Sequence, residues 1–279
     1  MPGCPALARS GPAANVSGVP TRAELSQSFG SIAADYDRLR SQPADEAVDW
    51  LVPGRRDLLV DLGAGTGIFS RALASRAAHV IAVEPDDRMR AVLQARSPGV
   101  EVLAGSGEAI PLPDASADGV FASSAWHWMD SSRAIPEVAR VLRDGGRLGV
   151  IWTGRDRESE WLRADEWFRE AAREGDPFNA DRERRENQRR REISLPGSGG
   201  LFRNIETRTF SFTRAMTPAE LVEMLATYSR IITASPQDRE RGRNRATAAL
   251  AELFPGADHI DVPMRSRCWR GDRVARKPE

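Results

Sequence analysis

The residues most suited to chemistry lie in a glycine-rich turn, Val60-Asp61-Leu62-Gly63-Ala64-Gly65-Thr66-Gly67, which joins an apolar run to a helical stretch. Glycines at such a junction let the backbone approach a ligand closely, and the helix that follows offers unpaired N–H groups and the positive end of its dipole. A nicotinamide fingerprint would space its glycines G-x-G-x-x-G. Here they stand at 63, 65 and 67 with Ile68 next, a spacing that fits a dinucleotide poorly. Glu84 ends the following apolar run. An acidic residue about 20 positions beyond such glycines accepts hydrogen bonds from ribose hydroxyls, and its charge disfavours a 2′-phosphate. A solvent-facing acid at a strand end is the plain alternative.

These residues need elements to hold them. Short apolar runs at 58–60, 80–83, 100–103, 119–122 and 148–152 alternate with stretches at 68–76, 87–96 and 133–142 that carry apolar residues at 3–4 spacing. Continuous apolar strands are expected where helices cover both faces of a parallel sheet. Repeated βα units therefore predict a doubly wound α/β sheet with right-handed crossovers. Gly145-Gly146 reads as a turn before the fifth strand.

Beyond Thr153 the rhythm changes. Trp161, Leu162, Phe168, Ala171 and Ala172 can share one helical face. Residues 181–192 are a dense Arg/Glu run, read as a solvated helix or loop because acids interleave with the bases. The segment 196–200 is a breaker; 205–212 and 260–269 read as strands, and 218–228 and 236–253 as helices. The expected organisation is a disordered leader (1–20), a lid helix (21–42), a ligand-binding core (43–153), and cap helices, charged loop and closing strands (154–279).

Composition bounds the function. Of 279 residues, 41% are hydrophobic and 29% charged, which fits a globular protein rather than a disordered chain. Forty basic residues balance forty acidic ones, so no global field draws the chain to nucleic acid or anionic lipid. Lys277 is the only lysine, which argues against lysine-based catalysis. Cys4 and Cys268, near opposite ends, form neither a disulfide framework nor a metal-ligand spacing; no metal is expected, and a cytoplasmic location is. No run reaches the ~18–20 apolar residues of a membrane span.

Taken together, 61–67, Glu84 and Gly105-Ser106-Gly107-Glu108-Ala109-Ile110-Pro111-Leu112-Pro113 resemble the class I S-adenosylmethionine-dependent methyltransferases, in particular the type 11 group acting on small molecules. The segments 123–130 and 136–146 resemble that group's stretches after the fourth and before the fifth strand, and Phe29, Ala34, Tyr36 and Arg40 its N-terminal lid. The resemblance implies a Rossmann-like, seven-stranded doubly wound sheet, mostly parallel with an antiparallel last strand, and an α-helical cap. It implies S-adenosyl-L-methionine as cofactor and S-adenosyl-L-homocysteine as product. By position it assigns Asp61, Gly63, Ala64, Gly65 and Gly67 to the methionine side and Glu84 with Pro85 to the ribose. Ser106, Gly107 and Glu108 fall beside the adenine, and Ser123 joins the same cofactor set. The family commonly has aspartate where Ser106 stands; a serine hydroxyl can still bond the adenine amino group. Glu108 either touches the ligand, caps a helix or pairs with an arginine. Tyr36 and Arg40 are placed to reach the methionine carboxylate from the lid, with surface helix capping as the alternative.

Methyl transfer to a hydroxyl or protonated amine gains from a general base, typically by ~10²–10⁴-fold. His127 follows the fourth strand at the expected ligand edge and is the candidate base, with Trp126 and Trp128 as an apolar wall; packing against a loop is the alternative. His79 reads as structural, and Trp161, Trp167 and Phe168 as a cap over the acceptor. The expected acceptor is a small organic metabolite, carrying for example a hydroxyl or carboxylate, methylated on O, N or C. Nucleic acid is not expected, because 123–126 lacks the Asn/Asp-Pro-Pro-aromatic pattern used on exocyclic base amines, and no membrane partner is implied. A protein acceptor and a non-catalytic cofactor-binding protein are the other readings.

Overall fold

Continuous apolar runs become the strands of one sheet in the computed structural model, which describes residues 30, 32–156, 159, 200–232 and 234–275. Two helices, α1 (Ala33–Leu39) and α2 (Asp45–Leu51), precede β1 (Arg56–Leu62). Then follow α3 (Ile68–Ala74), β2 (Ala77–Glu84), α4 (Asp87–Arg96), β3 (Glu101–Ala104), β4 (Ala117–Ser123), a 3-10 turn (Trp126–Trp128), α5 (Ser131–Val141) and β5 (Leu142–Arg155). After the gap come β6 (Phe202–Met216), α6 (Pro218–Ala226), α7 (Ser229–Ile232), α8 (Pro236–Leu253) and β7 (Ile260–Arg273). The seven strands lie in the order β3-β2-β1-β4-β5-β7-β6. The first five are parallel; β7 runs antiparallel between β5 and β6. The chain moves outward in one direction through β1, β2 and β3 and in the other through β4 and β5. This leaves a crevice at the strands' carboxyl ends where the order reverses, the usual ligand site of open α/β sheets.

Alternation within each run sends neighbours to opposite faces. Val60, Leu62, Val83, Val120, Val150 and Trp269 pack on the α5 side, while Leu59, Val80, Phe121, Ile151 and Cys268 pack on the α2 and α3 side. A third apolar cluster joins α6, α8 and the start of β7 around Leu221, Leu225, Leu250 and Val262. Helix starts are chemically marked. Asp86 accepts from the Arg88 and Met89 backbone N–H groups, and Thr217 with Glu220 forms a reciprocal capping box on α6.

Three expectations shift. Gly145-Gly146 lies inside β5 rather than before it, at a register break between Ala117 and Gly119 where residues 143–146 bulge from the ladder. The edge strand β6 and its neighbour β7 run beyond the expected 205–212 and 260–269, because most of the added positions are polar or arginine residues that form no continuous apolar run. The helix read over 218–228 stops at Ala226. The leader, Phe29, the cap residues Trp161, Trp167 and Phe168, the 181–192 run and Lys277 lie outside the described residues.

The 105–113 loop is held by α5. Glu137 accepts the Ile110 N–H at 2.8 Å, and Arg140 donates to the carbonyls of Ile110 and Leu112 and to Asp114. Glu137 also bonds Arg140, which holds the Glu137 carboxyl below its ordinary value. Arg140→Ala strands two loop carbonyls and is expected to lower unfolding stability by about 1–3 kcal/mol in urea titration. An unchanged midpoint would show that the loop holds itself.

Candidate functional site

A cleft of about 1450 Å³ opens at the carboxyl ends of the central strands. It is bordered by the β1–α3 turn, the ends of β2, β4 and β5, the middle of β7, helix α1 and Tyr228. Tyr36, Arg40, Gly63, Ala64, Gly65, Glu84, Pro85, Ser106, Gly107, Glu108, Ser123 and His127 all border it. Asp61 and Gly67 do not.

The turn's shape explains its glycines. Gly63, Gly65 and Gly67 have φ of +68°, +58° and +84°, in the left-handed region that L side chains rarely adopt. A Cβ on Gly63 would sit 2.7 Å from the Ala125 Cβ, and one on Gly67 would meet Leu93 and Ser97 at 2.8 Å. Gly67 therefore packs α3 against α4, beneath the cleft, instead of facing it. At Gly65 a Cβ would meet nothing within 4 Å, so its absence leaves room on the cleft side.

Glu84 is only 7% exposed. One carboxylate oxygen accepts the Gly65 N–H at 2.8 Å, the other the Asp86 N–H at 3.0 Å. Burial pushes its carboxyl above the ordinary value, while those two N–H groups favour the charged form. Each oxygen keeps a lone pair for a ligand donor. Asp61 lies beneath the turn, fully buried, and accepts the Ser70 hydroxyl at 2.6 Å. Burial pushes its carboxyl up to about 7, and the Glu84 charge adds to that rise. Thr66 Oγ1 is buried and has no hydrogen-bond partner among the described residues; Thr66 borders the cleft.

Helix α1 is fastened over the turn. Arg71 bonds Asp37 of α1 at 2.7 Å, the Thr66 carbonyl at 3.1 Å and Ser97 at 3.0 Å. Arg40 donates to the Thr227 carbonyl at 3.0 Å and stacks on both Tyr36 and Tyr228, its guanidinium 5.0 and 4.3 Å from the ring centroids. The arginine thereby joins α1 to the segment after α6. Nothing in the composition signalled Arg71 or Tyr228, because both act through partners distant in sequence.

On the β4 side, the 3-10 turn splits its three rings. His127 and Trp128 border the cleft, half-buried, with ring centroids 4.6 Å apart. Trp126 is fully buried in the α5-side core and forms no wall. With three residues per turn, a 3-10 turn points residues two apart in different directions, so the two tryptophans do not share a wall. Glu108 accepts the Asp130 N–H at 2.7 Å, so of its expected roles it fills helix-start support, at the N-cap of α5.

Comparison with known proteins agrees. A family model described as a methyltransferase domain matches residues 60–150. An uncharacterized methyltransferase of Mycobacterium tuberculosis is 39% identical over 252 residues, 90% of this chain and 97% of the relative. An uncharacterized methyltransferase-like protein of Schizosaccharomyces pombe is 30% identical, over 84% of this chain and 90% of its own. A solved putative type II methyltransferase from Anaeromyxobacter dehalogenans shares the fold, with a TM-score of 0.64, 23% identity and coverage of 85% and 99%.

Proposed function

The chain belongs to the class I S-adenosylmethionine-dependent methyltransferases, and from that premise we propose that it methylates an O, N or C atom of a small organic acceptor seated between His127 and the β5–β7 wall. The carrying observation is the Glu84 carboxylate, fixed by the Gly65 and Asp86 N–H groups at the cleft where the strand order reverses. The residues fit the cofactor. Glu84 offers lone pairs to ribose hydroxyls, the missing Cβ at Gly65 leaves space, and Thr66 Oγ1 is a buried polar atom awaiting a partner. Ser106, Gly107 and Glu108 border the end of the cleft assigned to adenine, Tyr36 and Arg40 the end assigned to methionine, and Ser123 borders the same cleft. Asp61 and Gly67 support the turn from below.

When bound, S-adenosylmethionine supplies an activated methyl group and its own leaving group. The protein's share is alignment, for which proximity is worth up to ~7–11 kcal/mol, together with proton removal. Helix α1, fastened by Arg71, closes one side of the cleft. His127 borders the cleft beyond the β4 end, where it would serve as the base for the acceptor's proton.

Titration calorimetry with S-adenosylhomocysteine tests the reading, and no binding at millimolar ligand would sink it. For His127, the expected result of His127→Ala is a kcat lower by about 10²–10⁴-fold at unchanged cofactor Kd, followed as S-adenosylhomocysteine release. Full activity in that variant would return His127 to a packing role.

A further inference from the structure

Helix α1 borders the cleft through Tyr36 and Arg40, yet its two ends are held in different ways. At the carboxyl end Leu39 is buried in the apolar cluster of α6, α8 and the start of β7. Arg214 of β6 donates to the Leu39 carbonyl at 2.8 Å and to the Ser41 hydroxyl at 3.0 Å, and Arg40 reaches the Thr227 carbonyl. Before Leu39 the buried residue of the helix is Ala33, whose single methyl group buries little apolar area. The tie there is an ion pair. Asp37, with a side chain 9% exposed, accepts from Arg71 of α3 at 2.7 Å. A second cavity of about 650 Å³ is bordered by Asp37, Arg38 and Arg71, and it shares Arg40, Ser41 and Ile68 with the cleft. The end of α1 thus separates two open spaces.

Resting on the methyl-transfer reading, we propose that Arg71 and Asp37 form a latch that holds α1 closed over the cofactor's turn, and that its breaking, with residues 39–41 as the hinge, releases S-adenosylhomocysteine. Neither residue borders the cleft, so both are positioning residues that act through what they hold. Arg71 does not stop at the lid. The same guanidinium donates to the Thr66 carbonyl at 3.1 Å and to the Ser97 hydroxyl just after α4 at 3.0 Å. Thr66 lies between Gly65 and Gly67 and borders the cleft. One planar, always-charged group therefore touches the lid, the turn and the end of α4 together. A turn ordered by ligand presents that cation in place for Asp37, and a closed lid steadies the turn; such coupling is reciprocal. The helix has seven residues, and a charge-assisted hydrogen bond is among the strongest single contacts available to it. Breaking that bond leaves Leu39, Arg40 and Ser41 in their places, so α1 opens about its carboxyl end without the sheet unfolding.

The test follows dissociation of labelled S-adenosylhomocysteine from the full chain, chased with unlabelled ligand. Asp37→Ala is expected to speed dissociation about tenfold, the effect of one charge-assisted hydrogen bond. Arg71→Met is expected to do at least as much, and Arg71→Lys, which keeps the charge, to fall between it and wild type. The double variant is expected to be no faster than Arg71→Met, because the pair is already broken. Hydrogen exchange supplies the readout that a merely structural role would not move. In wild type the ligand slows exchange over both 33–39 and 63–67; in Asp37→Ala it slows 63–67 alone. Asp37 lies on the lid rather than in the sheet, so its variant preserves the test if Arg71→Met disturbs α3. Dissociation within about twofold of wild type in Asp37→Ala, or effects that multiply in the double variant, overturns the latch and leaves the methyl-transfer reading standing. Failure of S-adenosylhomocysteine to bind wild type at all overturns that reading instead.

Discussion

Glu84→Ala is expected to raise the dissociation constant for S-adenosylmethionine by about 10- to 100-fold, read by titration calorimetry. The direct part is the loss of a charged acceptor for ribose hydroxyls, worth roughly 1.5–3 kcal/mol. A second part is local. The carboxylate accepts the Gly65 and Asp86 N–H groups, and both would be left without that partner in a site that is 7% exposed. The turn would lose the contact that fixes Gly65 relative to the β2 end, so part of the loss appears as an ordering cost at binding. Glu84→Gln does not escape. Two N–H groups arrive at two oxygens, and an amide presents an NH₂ to one of them, so its Kd also rises. An unchanged Kd in both variants would falsify the placement of the ribose at Glu84.

That position was legible because two independent signals met there: glycines at a strand-to-helix turn, and an acid ending the next strand. The sheet was legible for a similar reason, since strands covered on both faces are written as unbroken apolar runs. The faint parts of the sequence are those whose logic is tertiary. Gly67 shares the turn's spacing with Gly63 and Gly65, yet its role is set by Leu93 on α4 and by Ser97 just after it, which no local pattern announces. Trp126 and Trp128 look equivalent in sequence and are separated by the pitch of a 3-10 turn.

Asp61 carries the second large effect, on stability rather than binding. Its carboxyl is fully buried, bonded by the Ser70 hydroxyl at one oxygen and by no described residue at the other. Burial, reinforced by the Glu84 charge, pushes it up to about 7, while the Arg71 charge opposes the shift weakly. In the unfolded chain the same group titrates near 3.9. Between those values the folded protein keeps a proton that the unfolded chain releases, so this stabilising contribution is complete below about pH 4 and lost as pH rises through about 7. Asp61→Asn removes the titration. The readout is the gap between wild type and variant rather than either stability alone, because the amide also changes the contact with Ser70. From pH 5 to pH 8 in urea unfolding, the gap is expected to move by roughly 3 kcal/mol in the variant's favour. A constant gap would mean that Asp61 stays ionised in the fold. The Glu84→Ala background then checks the cause. Removing the Glu84 charge lowers the Asp61 carboxyl, so the pH window over which the gap moves should shift downward, tying the acid beneath the turn to the acid that faces the cleft.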